Sequence, residues 1–252
     1  HSGRRRRGSL SFLYKLLSVF LICGCLVAAI TLFFRVDTVV ITGEKRYTEA
    51  EIRQASGVED GDNLFLLNKY QVIRDIAEAL PYIEIENTRI QRKLPDPLLI
   101  QVQDCGDPLA WTQDGTVWLM SPAGKIVEQT DTAAGHPTVD GCELLSPSVG
   151  TQIAVDMAYE TRRESLLELL AVLDETGELA KGDAIHLGEA SYISMDYMDR
   201  FTVKMPYQAD FSYKLRVLEL AINSDKIQDN MTGTFDMRQE DGQVIFDQDT
   251  RE

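Results

Sequence analysis

The chain has 252 residues, with 25 basic against 40 acidic side chains and a formal net charge of −15. That balance repels anionic polymers and lipid head groups and argues against nucleic-acid binding, which needs a basic face. The length suffices for two small domains or one larger one.

Leu16 to Phe34 is an uninterrupted apolar run without a charge. As a helix it spans roughly 28 Å, about the thickness of a bilayer core. Arg4, Arg5, Arg6, Arg7 and Lys15 precede it, and no acidic residue occurs before Asp37. Basic residues are retained on the cytoplasmic side, so the N-terminus is expected inside and everything after Arg35 outside. Two cleaved forms stay open. Val27-Ala28-Ala29 could be a signal cleavage site, although Ile30, Leu32, Phe33 and Phe34 continue the run beyond it. Cys25 in Ile22-Cys23-Gly24-Cys25 could be a lipidated cysteine, although apolar residues follow where a polar tether is expected.

Val36 to Thr42 reads as a strand ended by Gly43. Thr48 and Glu51 form a capping-box pattern for a short helix through Ile52 and Ala55, closed by Gly57. Leu64, Phe65 and Leu66 are expected to be buried. Val72, Ile73, Ile76, Ala77 and Leu80 share one helical face, and Pro81 stops that helix. Ile83 to Gln91 is expected as a strand, Leu94-Pro95-Asp96-Pro97 as a turn and Leu98 to Val102 as a third strand. The segment Cys105 to Asp114 reads as a domain boundary.

Beyond it, Val117 to Met120 and Lys125 to Glu128 flank a hairpin turn at Ser121-Pro122-Ala123-Gly124. Arg162 to Asp174 is an amphipathic helix with Leu166, Leu169, Leu170 and Leu173 on one stripe. Tyr192 to Asp196 and Phe201 to Met205 pair across Met198-Asp199-Arg200. Tyr213 to Ile222 is a helix packing through Leu215, Leu218 and Ile222. Thr234 to Met237 and Gln243 to Phe246 form a last pair around Glu240-Asp241-Gly242.

Signatures of catalysis are missing from the sequence: no Gly-x-Ser-x-Gly, His-Glu-x-x-His or Ser-x-x-Lys occurs. His136 and His186 could serve as imidazole bases outside the membrane, but neither has an acid and a nucleophile at recognisable spacing. The cysteines offer no metal site. Cys105 and Cys142 could pair in an oxidising compartment. No cofactor and no small-molecule substrate are expected, and the chain is not read as an enzyme.

Taken in order, these elements resemble a known family. Phe34-Arg35-Val36 leads to Val40-Ile41-Thr42-Gly43, then Tyr47-Thr48-Glu49-Ala50-Glu51-Ile52, Gly61-Asp62-Asn63-Leu64-Phe65 and Leu80-Pro81-Tyr82-Ile83. Arg92-Lys93-Leu94-Pro95 then precedes Leu98-Leu99-Ile100-Gln101-Val102. This is similar to the POTRA domain of the bacterial cell-division family FtsQ/DivIB. Downstream, Asp114-Gly115, Ser121-Pro122-Ala123-Gly124-Lys125-Ile126, Pro137-Thr138-Val139-Asp140-Gly141 and Phe235-Asp236-Met237-Arg238 resemble that family's β domain. Where the family often has Glu-Arg after the third POTRA strand, this chain has Asp104-Cys105.

The resemblance implies an α+β protein. It would comprise a cytoplasmic tail (1–15), a transmembrane helix (16–34), a POTRA domain (35–104), a mixed α/β FtsQ-type β domain (105–246) and a C-terminal tail (247–252). It also implies a single-pass membrane protein of the division septum, a scaffold that holds the septal peptidoglycan synthesis machinery together without turnover. Small bitopic partners resembling FtsL and FtsB/DivIC would add a strand or helix–strand segment to the closing strands. The matching positions are Phe235, Asp236, Met237, Arg238, Gly242, Val244, Ile245 and Phe246. Two other classes compete: an extracytoplasmic cell-wall enzyme and a POTRA-type chaperone.

Overall fold

A computed structural model describes residues 9–43, 46–93, 97–239 and 243–249. The chain divides into two compact units, residues 1–80 with 84–103, and residues 81–83 with 104–252. The expected Leu94-Pro95-Asp96 part of a turn and the Glu240-Asp241-Gly242 turn lie outside the described residues.

Helix α1 (Ser9–Phe33) opens the first unit. It begins earlier than the expected Leu16, because nothing between Ser9 and Lys15 breaks a helix. Phe12–Phe33 is long and apolar enough to cross a membrane, and none of it is buried by protein. The backbone of Phe34 accepts from Leu64 N at 2.9 Å, and Val36 N donates to Asp62 O at 2.7 Å. The Gly61–Phe65 segment is thereby laid beside the start of the domain.

Strand β1 (Val39–Thr42), helices α2 (Glu49–Ser56) and α3 (Lys69–Ala79), then β2 (Arg89–Arg92) and β3 (Leu98–Gln101) follow in the expected strand–helix–helix–strand–strand order. The sheet order is β1-β3-β2, with β3 parallel to β1 and antiparallel to β2. The capping box at Thr48 and Glu51 is formed, and Gly57 closes α2 in the left-handed conformation. Ile52, Ile76, Leu98 and Ile100 are fully buried, as α2 and α3 cover the sheet.

Two expectations fail in this unit. Of Leu64, Phe65 and Leu66, only Leu64 is buried, and Leu66 is 82% exposed. Asn63 Oδ1 accepts from Phe65 N, which turns the chain and releases the next two side chains to the surface. The strand expected over Ile83 to Gln91 starts only at Arg89. Thr88 folds back on itself, its N–H donating to Ile85 O and its hydroxyl to Glu84 O.

Among the described residues, the second unit is built on one nine-stranded sheet. Its strands are β4 (Leu109–Gln113), β5 (Thr116–Met120), β6 (Ile126–Thr130), β7 (Thr138–Asp140), β8 (Gly182–His186), β9 (Tyr192–Tyr197), β10 (Phe201–Pro206), β11 (Gly233–Asp236) and β12 (Ile245–Gln248). Their order is β12-β11-β10-β9-β8-β7-β4-β5-β6. Helices α4 (Glu160–Thr176) and α5 (Phe211–Ile222) carry the apolar cover. Leu166, Leu169, Leu170, Leu173 and Leu218 join Trp111, Val139, Ile185, Met195, Val203 and Phe235 in one core. The stripe expected on α4 is fully buried. On α5 the residues buried are Phe211, Lys214 and Leu218, with Leu215 and Ile222 only partly covered.

The segment expected as a boundary contains β4. Trp111 is buried at its centre and donates from Nε1 to Cys142 O at 3.2 Å. Cys105 and Cys142 are not joined in a disulfide. Burial pushes the Cys142 thiol up, against the opposing charge of Arg162.

Candidate docking edge

Alternation along the closing strands decides which side chains face the core. Phe235 and Met237 are each 1% exposed and belong to the domain's own interior. Phe235 packs edge-on against Phe201 at 5.0 Å and tilted on Phe246 at 4.7 Å. These two expected positions therefore offer no side-chain anchors. Asp236 and Arg238 point away from that core. They form an ion pair, with Arg238 Nε donating to Asp236 Oδ1 at 2.9 Å, which holds the carboxyl below its ordinary range. Arg238 also lies over the Tyr192 ring at 5.0 Å. Ile245 is half exposed, and Val244 and Phe246 are partly buried. The expected site residue Gly242 lies outside the described residues.

β11 is not an edge: it pairs with β10 in parallel and with β12 antiparallel, in the register Phe235 opposite Phe246. The edge is β12, which among the described residues has β11 as its one neighbouring strand. Its far end extends two residues beyond the expected end of the domain at Phe246. Asp249 N donates to Thr232 O at 3.0 Å, and the N–H groups of Gly233 and Met237 turn to β10. Strand residues alternate the direction of their backbone groups. Ile245, Asp247 and Asp249 therefore turn theirs inward to β11, and Val244, Phe246 and Gln248 turn theirs outward. Gly233 lets β12 come this close: a Cβ there would lie 2.2 Å from Asp247 O.

At the opposite edge, β6 is partly covered. Ile126 accepts from Gly150 N and donates to Thr151 O, both at 2.8 Å. Backbone groups of β12 are thus the more available for an incoming strand.

The polar face of the sheet gathers a second group that spacing could not reveal. His186 Nδ1 lies 2.9 Å from Asp140 Oδ2, and its Nε2 lies 3.2 Å from Asp196 Oδ2. Thr202 donates to the other Asp196 oxygen at 2.9 Å. The two carboxylates raise the imidazole pKa above its ordinary value even though burial opposes this most strongly. Both ring nitrogens are engaged by carboxylates. The other candidate base, His136, contacts Pro108 O in a loop. Among the described residues no group of three or more His, Cys, Asp or Glu side chains is arranged to hold a metal ion.

Residues 34–104 match the family described as the POTRA domain, FtsQ-type. The chain is 26% identical over 212 residues to the cell division protein FtsQ of Bradyrhizobium diazoefficiens, covering 84% of this chain and 56% of that one. It is 22% identical over 177 residues to the cell division protein DivIB of Clostridium botulinum, covering 69% and 63%. It is 24% identical over 186 residues to FtsQ of Caulobacter vibrioides, covering 66% and 57%. The chain thus spans roughly three fifths of the length of these relatives.

Proposed function

We propose, from the premise that this chain belongs to the FtsQ/DivIB family through its POTRA domain, that it is a non-enzymatic scaffold of the division septum. The apolar helix anchors it once in the membrane, with the basic N-terminus inside and both folded units outside. Outside the membrane it captures small bitopic division proteins of the FtsL and FtsB/DivIC kinds, and so helps assemble the septal peptidoglycan synthesis complex. The POTRA domain serves recruitment to the division site through other membrane proteins.

One observation carries this reading: β12 ends the sheet with the backbone groups of Val244, Phe246 and Gln248 turned outward. A partner strand would gain main-chain hydrogen bonds there, and half-exposed Ile245 would supply an apolar contact. Anchoring both proteins in one membrane raises their effective concentration, so a short edge suffices.

The test exploits the alternation. Val244→Pro and Gln248→Pro each remove an outward N–H without removing a β11–β12 bond. Co-purification of the bitopic partners is expected to fall at least tenfold in either variant, with the POTRA domain still folded. Undiminished co-purification in both variants would refute edge pairing. A cytoplasmic fluorescent fusion is expected at midcell before and during constriction, and a uniform envelope signal would contradict the septal reading.

A further inference from the structure

The closing strands are held where a proline removes a ladder hydrogen bond and a lysine replaces it. Gly233 N donates to Arg200 O at 3.2 Å, and Met237 N donates to Lys204 O at 2.9 Å. In a parallel ladder, the carbonyl of each such residue accepts from the N–H two positions further along the neighbouring strand. Gly233 is thereby matched with the N–H of Thr202, Phe235 with that of Lys204, and Met237 with that of position 206. Position 206 is Pro206, the last residue of β10, which has no N–H to give.

The Met237 carbonyl accepts instead from Lys214 Nζ of α5, at 2.8 Å. The same nitrogen donates to Gln239 O at 2.7 Å. Lys214 is only 6% exposed, on a helix whose neighbouring inward residues are Phe211 and Leu218. Lysine is seldom so buried, and burial without acceptors would be costly. An N–H at position 206 would reach Met237 alone, whereas the lysine grips two carbonyls of the segment leading from β11 towards β12.

We infer that Lys214 is a positioning residue of the docking edge. It stands in for the donor lost at Pro206 and sets the path on which the chain leaves β11 to form β12. The purpose of this latch rests on the docking reading above, but its test does not, because it is read without any partner.

The experiment is amide hydrogen exchange on the full chain in detergent micelles, for the wild type, K214M, P206A and K214M/P206A. In K214M, the inward amides of Ile245, Asp247 and Asp249 are expected to exchange at least tenfold faster, with those of β4 and β5 unchanged. In K214M/P206A, position 206 supplies an N–H to Met237, so much of that protection is expected to return. P206A alone is expected to change little, making the two substitutions non-additive. Unchanged exchange in K214M, a rise spread evenly over all nine strands, or plain additivity of the two substitutions would each overturn the inference. If K214M does not fold, recovery of a folded chain in K214M/P206A supports the latch, and failure to recover overturns it.

Discussion

At Gly233 the second hydrogen of a glycine faces the carbonyl of Asp247, and any Cβ would sit 2.2 Å from that oxygen. Gly233→Ala is therefore expected to lower unfolding stability by about 1–3 kcal/mol, the usual penalty of overpacking. Denaturant unfolding of the full chain checks this, and an unchanged midpoint would mean that β12 shifts aside freely. His186 gives a pH signature. Both of its nitrogens face carboxylates, which only accept, so the doubly protonated ring fits best. Its folded pKa is raised, so its contribution is complete below the unfolded pKa of about 6.5 and is lost as pH rises through the folded value. The stability advantage of the wild type over His186→Gln is expected to be largest in mild acid and to shrink through and above neutrality. An advantage independent of pH between 5 and 8.5 would contradict that assignment. Neither feature could be read from the sequence, because Gly233 meets Asp247, and His186 meets Asp140 and Asp196, only after strands have paired.

The elements differ in how much of themselves they declare. Helix α4 is legible because Leu166, Leu169, Leu170 and Leu173 repeat at helical spacing and all end fully buried. Leu170→Ala is expected to cost about 2–5 kcal/mol, measured as a lowered midpoint. The capping box of α2 and the β9–β10 and β5–β6 hairpins were legible for the same reason: local chemistry sets them. β4, β7 and β8 were not. Gly106, Pro108 and Gly115 around β4 are residues of turns, and they outweighed the short apolar core at Leu109 to Trp111. β7 has only three residues and pairs with β4 and β8, its parallel neighbours on either side. Such pairing is decided by the whole sheet and leaves little trace in a three-residue window. The closing pair was legible as two strands. Its register was not, since a shift of one residue turns Phe246 from the core face to the opposite face.

For the whole molecule, the chain divides into two compact units, residues 1–80 with 84–103 and residues 81–83 with 104–252. The same chain order that resembles a POTRA domain followed by a β domain also places β12 last among the described strands, at one edge of a nine-stranded sheet. The candidate edge was legible only as a region: of the eight expected residues, Phe235 and Met237 are consumed by the core, while Gln248, not among them, turns its backbone outward. The most direct test of edge docking is a photo-crosslinking residue placed at Gln248 in growing cells, with Trp118, on another strand, as the control position. Edge pairing predicts a covalent adduct with a small bitopic membrane protein from position 248 and none from position 118. Adducts absent at 248, or equal at both positions, would contradict the account.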